Sequence, residues 1–100
     1  MKSWLMAVAV VAWVSPANAQ CGSRGVYIFG AYWCPACRAV EGFLGNNNIS
    51  YERIEVTGKP DVHRFMQAKF GTNSIPVVVI DHDYVVGFDI AWIRNALCIR

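Results

Sequence analysis

The sequence predicts a single small α/β domain in which a four-stranded mixed sheet is flanked by helices, in the order β-α-β-α-β-β-α. The chain has 100 residues, a length that supports one domain. Short β-branched runs alternate with segments whose apolar residues recur at helical spacing, which indicates the α/β class. Clusters of Gly, Asn, Asp and Pro separate these segments, and no internal repeat interrupts the order.

Residues 1–19 are expected to lie outside this domain as a secretory signal peptide. A short basic start precedes an uncharged apolar run at residues 4–14, and the segment ends in an Ala-x-Ala pattern before Gln20. The apolar run is shorter than the ~20 residues that span a bilayer. The sequence therefore predicts a domain at residues 20–100, periplasmic or secreted after cleavage near Ala19, with an uncleaved membrane anchor as the alternative.

The charge of the predicted mature chain is close to neutral and indicates neither a nucleic acid nor an acidic protein as a partner. Cleavage removes Lys2, which leaves eight of the nine Lys and Arg residues against seven Asp and Glu residues, a formal charge of +1. A basic patch that would bind nucleic acid is not expected from this balance. We expect a monomer that acts on other proteins.

The first half of the chain predicts a strand, a helix, a second strand and a second helix. Residues 26–29 are apolar throughout, as in a strand buried on both faces. Residues 38–44 place apolar side chains at helical spacing until a glycine and three asparagines end them. Residues 49–56 alternate between polar and apolar, and residues 61–70 carry an apolar stripe that ends at Gly71.

The second half predicts a hairpin followed by a helix. Two β-branched runs at residues 77–80 and 84–86 are joined by a short polar turn, which indicates antiparallel strands. Asp89 is a suitable N-cap for a last helix from Ile90 to about Cys98, with apolar residues on one face.

The motif Trp33-Cys34-Pro35-Ala36-Cys37 stands where the first predicted strand gives way to the first predicted helix. Two thiols at this spacing can close a disulfide and can open it again by exchange. Cys34 would lie at the helix N-terminus, where unpaired N–H groups stabilise a thiolate; thiols in such motifs titrate roughly between 3.5 and 7.5. We therefore expect Cys34 to be the nucleophile and the more buried Cys37 to be the resolving thiol.

A Cys-x-x-Cys pair is also half of a zinc site, which needs two further ligands. Cys21 and Cys98 stand alone, and His63 and His82 have no paired spacing with either. We therefore predict no metal site and expect both histidines to be solvated. An inert structural disulfide within the motif is the remaining alternative.

Three stretches together resemble the thioredoxin superfamily, and are most similar to its small glutaredoxin-like members. A strand, a Cys-Pro-x-Cys and a helix follow one another at residues 26–44, Ser74-Ile75-Pro76 stands before a strand, and residues 85–89 precede the last helix. The resemblance covers essentially all of residues 20–100. It implies a thioredoxin-like fold of the glutaredoxin type.

The resemblance also implies where substrates bind. Pro76 would follow a cis peptide bond and lie against the Cys-x-x-Cys, so that the backbone of Ile75 pairs with an extended substrate. Trp33 and Pro35, on either side of Cys34, are the other expected substrate contacts. The alternative for Pro76 is a trans proline at the start of an edge strand.

The sequence departs from the glutaredoxin pattern at glutathione anchors. Ala31 stands where glutaredoxins usually have a lysine, and only Gly87, Phe88 and Asp89 stand where a Gly-Gly pair and two acidic residues are usual. Glutathione thus remains a possible thiol substrate with two anchors missing. The approach to Cys34 from Gly30 instead resembles thioredoxin-like domains that work with membrane redox partners.

The implied topology bears on the other two cysteines. The first strand and the fourth strand would both run toward the active site, so Cys21 and Cys98 would meet at the opposite end. We predict a structural disulfide between them, which in the chain-entropy model contributes roughly 4 kcal/mol. Two free thiols, or an intermolecular bond through Cys21, are the alternatives.

These inferences together predict an exported thiol-disulfide oxidoreductase whose redox centre is the pair Cys34 and Cys37. No metal, nucleotide or flavin cofactor is implied. The expected partners are protein thiols and disulfides, with a membrane protein as a further redox partner. The alternative is a non-catalytic peptide-binding module in which Cys34 and Cys37 are permanently oxidised.

Overall fold

A computed structural model describes residues 25–99. The predicted order of strands and helices is confirmed. The strands are β1 at Val26–Gly30, β2 at Glu52–Glu55, β3 at Val77–Ile80 and β4 at Asp83–Val86, and the helices are α1 at Pro35–Asn46, α2 at Pro60–Phe70 and α3 at Ile90–Leu97. The predicted signal peptide, its cleavage site and Cys21 lie outside the described residues.

The four strands form one mixed sheet in the order β2-β1-β3-β4. β1 runs parallel to β2 and antiparallel to β3, and β4 runs antiparallel to β3. β1 and β4 therefore run in the same direction, and the segment that contains Cys34 follows directly from the end of β1. The helices on the two faces of the sheet bury Val26, Ile28 and Phe29 of β1, whereas Tyr27 is 41% exposed although the strand was predicted to be buried on both faces.

Each face of the sheet is covered by helices, which gives two apolar cores. Because successive side chains of a strand point to opposite faces, Ile28 and Val78 pack on the face covered by α1 and α3, whereas Phe29 and Val77 pack on the face covered by α2. Cys34 and Cys37 belong to the second core, together with Met66 of α2. The active-site thiols are therefore anchored in the folded core.

Two predicted boundaries in the first half are wrong by several residues. The predicted strand at residues 49–56 is observed only over Glu52–Glu55. Ile49 is instead held by the end of α1, since its N–H donates to the carbonyl of Leu44 at 2.9 Å. α1 also continues through Gly45 to Asn46, and the left-handed conformation falls on Asn48, with φ of 59°.

The predicted end of α2 and the predicted start of α3 are confirmed. Gly71 ends α2 in the left-handed conformation, with φ of 71°, and its N–H donates to the carbonyl of Gln67. Asp89 caps α3, because its carboxylate accepts the N–H of Trp92 at 3.0 Å. Within residues 25–99 we find no helix that is both long and apolar enough to cross a membrane.

Candidate active site

The two cysteines of the motif are placed by the first turn of α1. Cys34 is the N-cap in an extended conformation, and Pro35 occupies the first turn, where its missing N–H has no cost. The Sγ of Cys34 accepts the N–H of Cys37 at 3.1 Å, as a capping side chain does. Both cysteines are free thiols in the structure. The helix N-terminus thus points a backbone donor at the sulfur that would carry negative charge.

The two thiols differ in their access to solvent. The exposed fraction is 6% for Cys34 and 0% for Cys37. Burial, together with the side-chain hydrogen bond to Cys34, raises the pKa of the Cys37 thiol from 9.0 to about 11, although a backbone hydrogen bond at Ala31 opposes this change. Cys37 is therefore protonated at neutral pH, and only Cys34 can meet a substrate directly.

Gly30 is part of the site and extends the strand predicted at residues 26–29 by one residue. It is the last residue of β1, and its carbonyl accepts the N–H of Val56 at 2.9 Å. A Cβ at this position would lie 2.9 Å from the Sγ of Cys37, so only glycine leaves room for that thiol. A glycine that ends an apolar strand shortly before a cysteine motif is the sequence signal that was missed.

The loop before β3 lies beside the thiols. The Ile75–Pro76 peptide bond is cis, as the resemblance implied. Pro76 is fully buried, and both Ile75 and Val77 pack in the core that contains Cys34 and Cys37. Gly87, which follows β4, is hydrogen-bonded to this loop, since its N–H donates to the carbonyl of Pro76 at 2.7 Å. The φ of Gly87 is 97°, a conformation that favours glycine.

The residues that precede Cys34 are exposed but hydrogen-bonded. Tyr32 and Trp33 are 62% and 58% exposed. The indole Nε1 of Trp33 donates to the Oγ1 of Thr57 at 3.0 Å, and the N–H of Tyr32 donates to the Oε2 of Glu55 at 3.3 Å. The hydroxyl of Thr57 also donates to Oε2 of Glu55. Sequence reasoning missed Glu55 and Thr57, because they lie more than 20 residues along the chain from the motif.

Both histidines are exposed, as predicted. His63 lies on α2, and its Nε2 is 2.9 Å from the carbonyl oxygen of Val56. In the part of the chain from residue 25 to residue 99, no three His, Cys, Asp or Glu side chains are grouped so that they could hold a metal ion.

Cys98 lies at the end of α3, away from the redox motif. It is the C-cap residue, with φ of 57°. The preceding residue, Leu97, packs in the same core as Val26 at the start of β1. Cys21 lies outside the described residues, so the disulfide between Cys21 and Cys98 stays a prediction.

A search of solved structures places this fold among thioredoxin-like and glutaredoxin proteins. A mutant of a thioredoxin-like protein matches with a TM-score of 0.70 and 30% identity, over 77% of this chain and 99% of its own. A glutaredoxin from Archaeoglobus fulgidus matches with a TM-score of 0.66 and 25% identity, over 76% and 88% of the two chains. Fold and paired thiols thus define the class, the thiol-disulfide oxidoreductases of the thioredoxin superfamily.

The family within that class follows from the sequence comparisons. The glutaredoxin family model matches residues 26–85, which is more than half of the chain. This protein belongs to the glutaredoxin family. A glutaredoxin from Pseudomonas aeruginosa is 28% identical over 64 residues, which cover 64% of this chain and 76% of that protein. Residues 26–85, which the family model matches, include both cysteines of the motif, the cis proline and most of the sheet.

Proposed function

We propose that the protein is an exported thiol-disulfide oxidoreductase in which Cys34 attacks substrate disulfides and Cys37 resolves the product. The observation that carries the proposal is the position of Cys34. Its Sγ caps α1 and accepts the N–H of Cys37 at 3.1 Å. A thiolate there is stabilised by the helix N-terminus, and the thiolate is the nucleophilic form of cysteine.

Reduction of a substrate takes two balanced exchanges. In the first, the Cys34 thiolate forms a bond to one sulfur of the substrate disulfide, and the other substrate sulfur leaves as a thiolate. In the second, Cys37 gives up its proton and attacks the Sγ of Cys34, which releases the remaining substrate sulfur as a thiolate. The substrate gains two electrons, and the Cys34–Cys37 pair is oxidised to a disulfide. Oxidation of a substrate is the same sequence in reverse.

The different roles of Cys34 and Cys37 follow from their burial. Cys37 is fully buried behind Cys34 and holds its proton at neutral pH, since burial raises its pKa to about 11. It therefore reacts only once the mixed disulfide has brought an electrophilic sulfur to it. No buried acid stands among residues 25–99 to accept this proton, so water or the departing thiolate takes it.

We propose that the substrate lies across Trp33, Pro35, Ile75 and Pro76. The N–H and C=O of Ile75 make no hydrogen bond with any other residue between 25 and 99, so they can pair with an extended peptide. Exposed aromatic side chains flank the same end of the sheet, at Trp33 and at Phe88, which is 47% exposed. Apolar segments of protein thiols and disulfides fit this surface better than glutathione, for which the side chain of the buried Ala31 offers no charge.

The cellular setting is proposed from the N-terminal sequence. Residues 1–19 would direct export and be removed, which leaves a monomer in the periplasm or outside the cell. An exported redox protein needs a source or a sink of electrons, and a membrane redox partner would supply it. Expression of the full chain in a Gram-negative bacterium tests this, because export predicts a periplasmic product shortened by about 19 residues by mass.

The reduction potential of the Cys34–Cys37 pair is the test of the activity. The protein is equilibrated with glutathione buffers and the free thiols are trapped by alkylation, with Cys34→Ser as the control. A potential near about −120 to −180 mV indicates a disulfide-forming protein, and one near about −230 to −270 mV a reductant. A pair that never exchanges would leave only the non-catalytic peptide-binding module and would refute the proposal.

A further inference from the structure

We propose that Thr57 and Glu55 are positioning residues that hold Trp33 as a fixed wall of the substrate surface. The proposal rests on the function proposed above, because it concerns how protein substrates are bound. Trp33 precedes the nucleophile Cys34, is 58% exposed, and makes its side-chain hydrogen bond to Thr57. An exposed indole with no such bond would sample several rotamers, and a substrate would have to order it on binding.

One oxygen of the Glu55 carboxylate contacts Tyr32 directly and Trp33 through the hydroxyl of Thr57. The Oε2 of Glu55 accepts the N–H of Tyr32 at 3.3 Å and also the hydroxyl of Thr57. Because Thr57 donates its only proton to Glu55, its oxygen is left to accept the indole N–H of Trp33. Glu55 therefore sets the direction of the Thr57 hydroxyl, and through it the place of the indole ring.

The backbone next to Thr57 is held in place by hydrogen bonds to β1 and α2. The preceding residue, Val56, is buried, and its N–H donates to the carbonyl of Gly30 at the end of β1. The carbonyl of Val56 accepts the N–H of Lys59 at 3.2 Å and lies 2.9 Å from Nε2 of His63 on α2. The hydroxyl of Thr57 is thus held relative to the same strand that leads into the cysteine motif.

Glu55 is oriented from its other side by charges on β2 and α1. Arg53 forms an ion pair with Oε1 of Glu55 and a second one, at 3.2 Å, with Glu41 of α1. Glu41 also accepts the hydroxyl of Tyr51 at 3.2 Å. A continuous set of polar contacts therefore runs from the middle of α1, along β2, to the residues before Cys34.

Thr57→Val and Thr57→Ser form a matched pair for the test, carried out on the whole protein. Valine keeps the shape of threonine and lacks the hydroxyl, whereas serine keeps the hydroxyl. We expect Thr57→Val to raise KM for an apolar disulfide-containing peptide by about 3- to 10-fold, the range set by one net hydrogen bond, with kcat within about twofold of wild type. Thr57→Ser should restore the wild-type KM.

The solvent exchange of the Trp33 indole N–H gives a second readout that needs no turnover. It is followed by NMR, with the signal assigned by Trp33→Phe. We expect exchange to become about 3- to 10-fold faster in Thr57→Val and to stay near wild type in Thr57→Ser. A merely structural role of Thr57 would lower the melting temperature without these paired effects.

The outcomes separate the two proposals. An active wild type whose KM and indole exchange are the same in Thr57→Val would overturn the positioning role alone. A wild type that turns over no disulfide substrate would overturn the proposed function and, with it, the substrate role of Trp33. Faster indole exchange with an unchanged KM would show that Thr57 holds the indole but that the indole is not a wall of the substrate surface, which also refutes the proposal.

Discussion

Gly30 and Cys37 are in direct contact across the junction of β1 and α1. The absence of a side chain on Gly30 lets the Sγ of Cys37 occupy the position next to the strand, where a Cβ would lie 2.9 Å from the sulfur and 3.1 Å from the Cβ of Cys37. This contact is what allows the resolving thiol to be fully buried directly behind Cys34. The burial of the resolving thiol therefore depends on the absence of a side chain at Gly30.

Gly30→Ala should therefore destabilise the reduced protein and slow the second exchange step. The added methyl group overpacks a closed site, which costs about 1–3 kcal/mol of unfolding free energy. Urea denaturation of the reduced protein measures that loss, and stopped-flow release of the mixed disulfide measures the step.

Gly42→Ala is the matched control for this substitution. Gly42 lies within α1, and apart from the neighbouring backbone of the helix itself no described atom lies within 4 Å of a Cβ at that position. Alanine there should raise the unfolding free energy by about 0.5–1 kcal/mol, because it is the better helix former. Equal changes in unfolding free energy for Gly30→Ala and Gly42→Ala would show that the contact between Gly30 and Cys37 does not destabilise the alanine variant.

Substitution of the two cysteines should separate the two exchange steps. Cys34→Ser should abolish turnover, because the buried Cys37 cannot reach a substrate. Cys37→Ser should still form a mixed disulfide through Cys34 but fail to release it. Mass spectrometry of the protein after reaction with a disulfide peptide detects this adduct. Turnover by Cys34→Ser, with adducts on Cys37, would reverse the assigned roles.

The stability of the reduced protein should fall in alkaline solution. The pKa of Cys37 rises from 9.0 to about 11 on folding, so above pH 9 the unfolded chain loses a proton that the folded chain keeps. The contribution of this proton is complete below about pH 9 and is lost as the pH rises toward 11, by on the order of 2 kcal/mol. Urea denaturation between pH 8 and about 11 measures the change.

Cys37→Ala is the control for this pH dependence. The variant keeps all other groups that titrate in the same range, including Tyr51, whose pKa is raised chiefly by burial. The difference between wild type and variant therefore isolates Cys37. Parallel curves of unfolding free energy against pH would contradict the prediction.

The cap of the last helix gives a test of the fold that does not involve the thiols. Asp89→Ala removes the acceptor of the Trp92 N–H and should lower the unfolding free energy by about 1 kcal/mol. Asp89→Asn should keep most of the unfolding free energy that Asp89→Ala loses, because asparagine is also a good N-cap. Thermal or urea unfolding compares the two, and an equal loss in both would assign the effect to the charge of Asp89.

Much of the fold was predictable from local patterns. The run Val77–Ile80 has the predicted bounds, and Asp89 and Gly71 are found at the helix ends where they were expected. These features depend on backbone preferences and on the spacing of apolar residues, which neighbouring positions determine. The Cys-x-x-Cys motif was predictable for the same reason, since one helical turn brings Cys34 and Cys37 together.

The tertiary structure alone decided which distant residues support the motif. Glu55 and Thr57 carry no local signal of a role, and they meet the motif because β1 and β2 pair in parallel and end at the same edge of the sheet. The degree of burial of Cys37, and with it the raised pKa of its thiol, is likewise a product of packing between β1, α1 and α2. The sequence by itself determined the chemistry that is available, because thiol spacing is local. Only folding decided how the thiols differ, because desolvation and hydrogen bonding depend on contacts between residues far apart in the chain.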